Sequence, residues 1–160
     1  MKASNRGHRG NARRKGTPSM EAEKKMELYV PSILGFEKVA MDFAASVAKI
    51  MKFPHERIED LKTAVAEACI NAIEHGNKKA ASTKVGIILT IGESELRVDV
   101  QDEGKGMSPV GKPNLKKKIE GKEKPRGWGI FLIKNLMDEV KFESKPEGGN
   151  VVRMVIHLEK

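Results

Sequence analysis

The sequence predicts an α/β (α+β) fold, and three observations predict it. Two helical periods stand side by side between residues 34 and 75, two β-branched runs follow at 84–101, and a further helix leads into two strands after residue 130. The length agrees, because 160 residues, 39% of them hydrophobic, bury one core and make about one domain.

Each element has its own local reason. Glu27-Leu28-Tyr29-Val30-Pro31 reads as a short strand, closed by a proline that suits a sheet edge or a strand end. Phe36, Val39, Ala40, Phe43, Val47 and Ile50 recur at helical spacing, which predicts an amphipathic helix over 34–51. Pro54 interrupts it. A second helix is expected over 55–75, with Ile58, Leu61, Ala64, Val65, Ala68 and Ala72 on its apolar side and Gly76-Asn77 as its stop. The runs at 84–91 and 95–101 flank Gly92-Glu93-Ser94 and read as a hairpin. Within the second run, Leu96, Val98 and Val100 alternate with Arg97, Asp99 and Gln101, so one face is expected buried and the other solvated. Residues 107–126 lose all period and read as a long loop, after which Ile130, Phe131, Ile133, Leu136 and Met137 resume a helical one. Strands at 140–144 and 150–158 close the chain around Pro146-Glu147-Gly148-Gly149.

Charge and composition narrow the functional classes. The formal charge of +8 is uneven: residues 1–20 hold six basic residues and no acid, which leaves +2 for the rest. Residues 1–25 lack apolar periodicity and read as a basic, disordered tail before a domain at 26–160. A solvated tail, a non-specific contact with nucleic acid or an anionic surface, and a docking peptide all remain open for it. No apolar run reaches the roughly 20 residues of a membrane span, so no membrane role is expected. Cys69 is the only cysteine, which excludes an internal disulfide and favours the cytoplasm.

Three motifs carry chemistry. Glu67, Asn71 and His75 follow at four-residue intervals in an otherwise small and apolar helix, which stacks a carboxylate, an amide and an imidazole on one face. Asp102-Glu103-Gly104-Lys105-Gly106 follows a strand directly, and Arg126-Gly127-Trp128-Gly129 directly precedes a helix. Glycines at both borders of the long loop allow close approach of a ligand to the main chain, and amides at a helix N-terminus favour phosphate. The loop carries Lys112, Lys116, Lys117, Lys118, Lys122, Lys124 and Arg126 against Glu120 and Glu123. It reads either as a solvated segment or as a basic lid that closes over a polyphosphate and then resists trypsin.

In this order the motifs resemble those of the ATP-binding superfamily that includes DNA gyrase, heat-shock chaperone ATPases, histidine kinases and mismatch-repair ATPases. Glu67 to His75, Val98 to Gly106 and Gly127 to Val140 look most like the small bacterial anti-sigma factor serine/threonine kinases, over residues 26–158. The resemblance implies a two-layer histidine-kinase-like ATPase fold, with a mixed, mostly antiparallel sheet and helices on one face. It implies ATP and Mg2+, with Asn71 as the metal ligand and Glu67 as general base. Asp102 would accept from the adenine amino group, Gly104 and Gly106 would give the base room, and Arg126, Gly127, Trp128 and Gly129 would surround the phosphates. It also implies an anti-sigma antagonist as phosphate acceptor, a sigma factor as the alternative partner, and a homodimer. Gly149-Asn150 stands where relatives often have Gly-Thr. A non-catalytic nucleotide-dependent binding module and a nucleic-acid-associated ATPase using the tail are the competing readings. For single residues the plain alternatives are a solvated or salt-bridged Glu67, a structural His75, a Trp128 packed beneath the loop and a buried, inert Cys69.

Overall fold

The computed structural model describes residues 23–104 and 126–159; Gly106 and the basic stretches at 1–20 and 107–125 lie outside them. The elements are β1 (Lys24–Pro31), α1 (Glu37–Ile50), α2 (His55–Asn71), β2 (Lys84–Ile91), β3 (Glu95–Gln101), α3 (Arg126–Leu136), β4 (Glu139–Ser144) and β5 (Asn150–His157). The strands form one sheet in the order β1-β2-β3-β5-β4. All four pairings are antiparallel, so the mostly antiparallel sheet that was expected is antiparallel throughout these strands.

The register explains the layering. Val85, Ile87, Leu89, Leu96, Val98, Val100, Met154 and Ile156 are alternate residues of β2, β3 and β5, and all are buried in one cluster with the apolar sides of the helices. Ala40, Ala44, Val47 and Ala48 come from α1, Ile58, Leu61, Val65 and Ala68 from α2, and Ile133 from α3. The helices therefore cover one face of the sheet. Small residues on α1 and α2 let the two helices approach closely. Leu61 is fully buried, so truncation to alanine at this position would cost about 2–5 kcal/mol. Arg57, near the start of α2, donates to the Leu136 carbonyl at 3.3 Å and pairs with Asp138, which ties α2 to the far end of α3.

The uncovered face differs from the expectation for β3. Asp99 was expected in solvent, yet it is only 6% exposed. Its cross-strand partner Arg153 donates through Nε at 3.0 Å and Nη2 at 3.2 Å, and its guanidinium covers the carboxylate. The bidentate geometry holds the Arg153 pKa above its ordinary value.

Two boundaries move. β1 begins at Lys24, two residues before the expected domain start. The second helix is α-helical only to Asn71, and residues Ala72–Gly76 form a π-helical turn. The wider turn carries Gly76 against Asp102, on the neighbouring strand end, where a Cβ would collide with the carboxylate. His75 lies on this turn with Glu74 at 3.9 Å. No helix of the described residues is long and apolar enough to cross a membrane.

Candidate functional site

The polar stripe of α2 does not face solvent alone. Gly129 sits in the first turn of α3 so close to it that a Cβ there would lie 2.7 Å from Glu67 Oε2 and 3.2 Å from Asn71 Nδ2. Glycine allows this approach without displacing Glu67, and it brings two motifs some sixty residues apart together. The helix begins at Arg126, so Gly127, Trp128 and Gly129 form its first turn instead of preceding it, as the sequence reading had placed them. The amides of a first turn have no intrahelical acceptor and point out of the helix N-terminus. Gly127 is buried, while the half-buried Trp128 stacks on Phe131 with ring centroids 5.6 Å apart.

Asp102 follows β3 and extends its ladder, with its N–H donating to the Asn150 carbonyl at 3.0 Å. Its Oδ1 accepts from Gly104 N at 2.8 Å, Asn150 N at 3.1 Å and Asn150 Nδ2 at 3.0 Å. Gly104 packs on the Gly76 carbonyl with no space for a Cβ, and its own carbonyl accepts from Gly149 N at 2.8 Å. Gly149 has φ +90°, a conformation that favours glycine, and it rests on the Asp102 carbonyl. The turn around Asp102 is thus held on three sides by main chain.

Between these two groups lies a cavity of about 20 Å³. Its walls are apolar, from Ala72, Val100, Ile130, Phe142 and Val152, and Asn71, Asp102 and Asn150 supply the polar groups. Apolar walls with a few polar groups are the composition of a small-molecule site, although at this volume the cavity holds only about one water. A larger cavity, about 370 Å³, opens near Tyr29, Gly86, Gln101 and Lys145. Asp102 and Glu103 also border it, but Asn71 does not, so the chemistry points to the smaller one.

The donor set also meets the needs of Mg2+. Among the described residues no three His, Cys, Asp or Glu side chains cluster as a metal cage. Asn71 instead carries a side-chain oxygen beside the Gly129 clearance, the ligand type of a hard cation that keeps most of its waters and phosphate ligands. Cys69, on the same helix, faces the core and is completely buried. Burial pushes its thiol pKa up to about 12, with Glu37 adding to the shift, so it takes no part in the site.

Several residues of the site were not legible in the sequence. Asn77 had only been assigned as a helix stop, yet it is buried and central. Its Nδ2 donates to Ser32 Oγ at 2.8 Å and to the Lys84 carbonyl at 3.0 Å, and its Oδ1 accepts from Glu103 N at 2.7 Å. It ties the end of α2 to β2 and to the Asp102 turn. Phe142, Val100 and Val152 look like ordinary strand residues, and nothing local marks them as pocket walls. Asn150 alone carried a signal, as the departure after Gly149.

The geometry defines a class, and comparison with known proteins agrees with it. The model of the histidine kinase-like ATPase domain matches residues 36–156. An anti-sigma F factor of Thermoanaerobacter sp. is 34% identical over 145 residues, which cover 87% of this chain and 97% of that protein. The anti-sigma F factor of Caldanaerobacter subterraneus is 35% identical over the same length. A serine-protein kinase RsbW of Bacillus cereus is 30% identical over 128 residues, 76% of this chain and 79% of the relative. The chain belongs to the histidine kinase-like ATPase family, in the branch that holds these anti-sigma factors and serine-protein kinases. A crystal structure of the RsbU and RsbW domains of a Mycobacterium tuberculosis protein superposes with a TM-score of 0.60 over 84% of this chain. At 15% identity it shows the fold alone, and the chain spans about a third of that protein, 32%.

Proposed function

We propose that this chain is an ATP-dependent serine/threonine protein kinase that phosphorylates an anti-sigma antagonist, and that in its other state it binds a sigma factor. One observation carries the reading: Asn71 and Asp102 line the same cavity, and Gly129 brings the first turn of α3 against Glu67. Residues from three motifs distant in the chain are therefore neighbours, with Asn71 and Asp102 at the cavity and Gly129 against the α2 stripe.

The roles follow from the chemistry. Asp102 accepts a hydrogen bond from the amino group of adenine, and Phe142, Val100 and Ile130 enclose the ring. Gly104 and Gly106 leave the base room. The amides of Gly127, Trp128 and Gly129 receive phosphate oxygens, favoured by the positive end of the helix, and Arg126 adds neutralising charge. Asn71 holds Mg2+ through its side-chain oxygen; when bound, the ion offsets phosphate charge during transfer. Glu67, one turn earlier, accepts the proton of the attacking serine or threonine hydroxyl. At about 20 Å³ the cavity is smaller than a nucleotide, so binding requires it to open.

Partners follow from the same reading. A sigma factor and its regulators act where RNA polymerase does, which puts the chain in the cytoplasm. A homodimer is supported by apolar side chains exposed between β1 and α1 and in the first turn of α1: Ile33, Leu34, Phe36 and Val39 are each 40–48% exposed. β1 is also an edge strand whose outer side is unpaired within the sheet. A contact between residues 1–20 and nucleic acid would weaken steeply with salt.

The test is phosphate transfer from labelled ATP with Mg2+ to the purified antagonist encoded nearest to this chain. Transfer by the wild type, lost in Glu67→Gln while ATP binding persists, supports the kinase. ATP binding without any transfer by the wild type identifies a nucleotide-dependent binding module instead.

A further inference from the structure

Asn150 does more than begin a strand. It is 4% exposed and gives Asp102 Oδ1 two of its three hydrogen bonds, one from the main-chain N–H at 3.1 Å and one from Nδ2 at 3.0 Å. The third comes from Gly104 N at 2.8 Å. A carboxylate oxygen has two lone-pair sites, so three donors saturate Oδ1. Asp102 lines the cavity, and its remaining acceptor capacity is on Oδ2, beside Gly76.

The direction of the Asn150 amide is fixed from its other side. Its Oδ1 pairs with the Ser144 hydroxyl at 3.1 Å, across the β4–β5 register pair Ser144↔Asn150. With the amide reversed, its oxygen would face a carboxylate that has no proton to donate. The chain Ser144, Asn150, Asp102 is therefore polarised one way, and it holds the carboxylate against rotation.

We infer that Asn150, oriented by Ser144, is the positioning residue that makes this pocket select an amino-bearing purine over a carbonyl-bearing one. The inference rests on the ATP reading above. A fixed Oδ2 accepts only, so it meets the 6-amino group of adenine as a partner. The 6-carbonyl of hypoxanthine meets it as a second acceptor, and both groups then lose their hydration without a hydrogen bond. If Asp102 rotates freely, it withdraws from the carbonyl or admits a bridging water, and the selection fades. ATP and ITP differ at this position and nowhere else on the pairing edge except the proton on N1, which makes them the direct probe.

The experiment measures the dissociation constants of ATP and ITP by calorimetry for the full chain and three variants, with thermal melting as the folding control. Asn150→Ala is expected to lower the ITP/ATP ratio about tenfold, the worth of one buried hydrogen bond. Ser144→Ala, at the less critical end, is expected to lower it about threefold. Asn150→Thr keeps the main-chain donor and places a hydroxyl near Asp102, and it is expected to restore most of the ratio. A role confined to stability would shift melting and both affinities together and leave the ratio unchanged. A wild type that prefers ATP, together with Ser144→Ala and Asn150→Ala proteins that fold and keep the full preference, overturns this inference alone. Should Asn150→Ala fail to fold, the Ser144→Ala ratio decides. A wild type that binds neither nucleotide removes the ATP reading and this inference with it.

Discussion

The two ends of the pocket are built in different ways. At the Asp102 end, main chain meets main chain: Gly104 lies on the Gly76 carbonyl, Gly149 donates to Gly104, and Asn150 closes the turn. At the Glu67 end, two half-buried side chains on α2 face the first turn of α3, and Gly129 gives them the space they occupy. Backbone-to-backbone contact has no flexible partner that can yield, whereas a glutamate tip can rotate. The Asp102 end is thus rigid and part of the fold, while the Glu67 end has side-chain tips that can shift; in the proposed function these are the base and phosphate ends. A transfer enzyme needs both, since the base fixes the nucleotide while the phosphate region must admit, hold and release.

This contrast is open to disproof. The largest effect is expected at the adjustable end and only in the rate: Glu67→Gln should slow phosphate transfer about 1,000-fold, within the range of general-base catalysis, with the melting temperature nearly unchanged. A comparable loss of ATP affinity would show that Glu67 binds instead of activating. Next comes the rigid end, where Gly104→Ala drives a Cβ into the Gly76 carbonyl. Chemical denaturation should reveal a loss of about 3 kcal/mol, as for other overpacked sites. A neutral result there would break the comparison.

Gly129→Ala sharpens it further. The added Cβ meets the end of a flexible side chain, 2.7 Å from Glu67 Oε2, so the carboxylate swings aside and the helix gains a better former. Transfer should fall about tenfold while stability holds or rises by less than about 1 kcal/mol. The smallest effect belongs to the buried side of α2. Cys69 should resist thiol reagents at neutral pH in the folded chain. Its thiol pKa is raised from 9.0 to about 12, so its contribution to stability is full below pH 9 and is lost as pH rises toward 12. Alkaline denaturation of Cys69→Ala should lack that component.

The sequence already held much of this. Helical period placed α1 and α2 within a few residues, β alternation gave β2 and β3 their exact bounds, and proline and glycine marked most ends. These are local signals, fixed by the 3.6 and 2.0 periods of the backbone. The spacing of Glu67 and Asn71 and the two glycine motifs were equally local, and their order along the chain was enough to suggest a nucleotide site. The start of α3 was misplaced because glycines in a first turn look the same as glycines before one. Asp99 was misread as solvated because its covering partner, Arg153, is 54 residues away and reaches it only through β3–β5 pairing.

What sequence determined by itself was therefore the identity of the chemical groups and the periodic faces that carry them, since both depend on residues near in the chain. Only the tertiary structure decided which groups meet. It set the Gly129 approach to Glu67, the walls from Phe142 and Val152, and the buried work of Asn77 and Asn150, because sheet register and helix packing join residues that no local pattern relates.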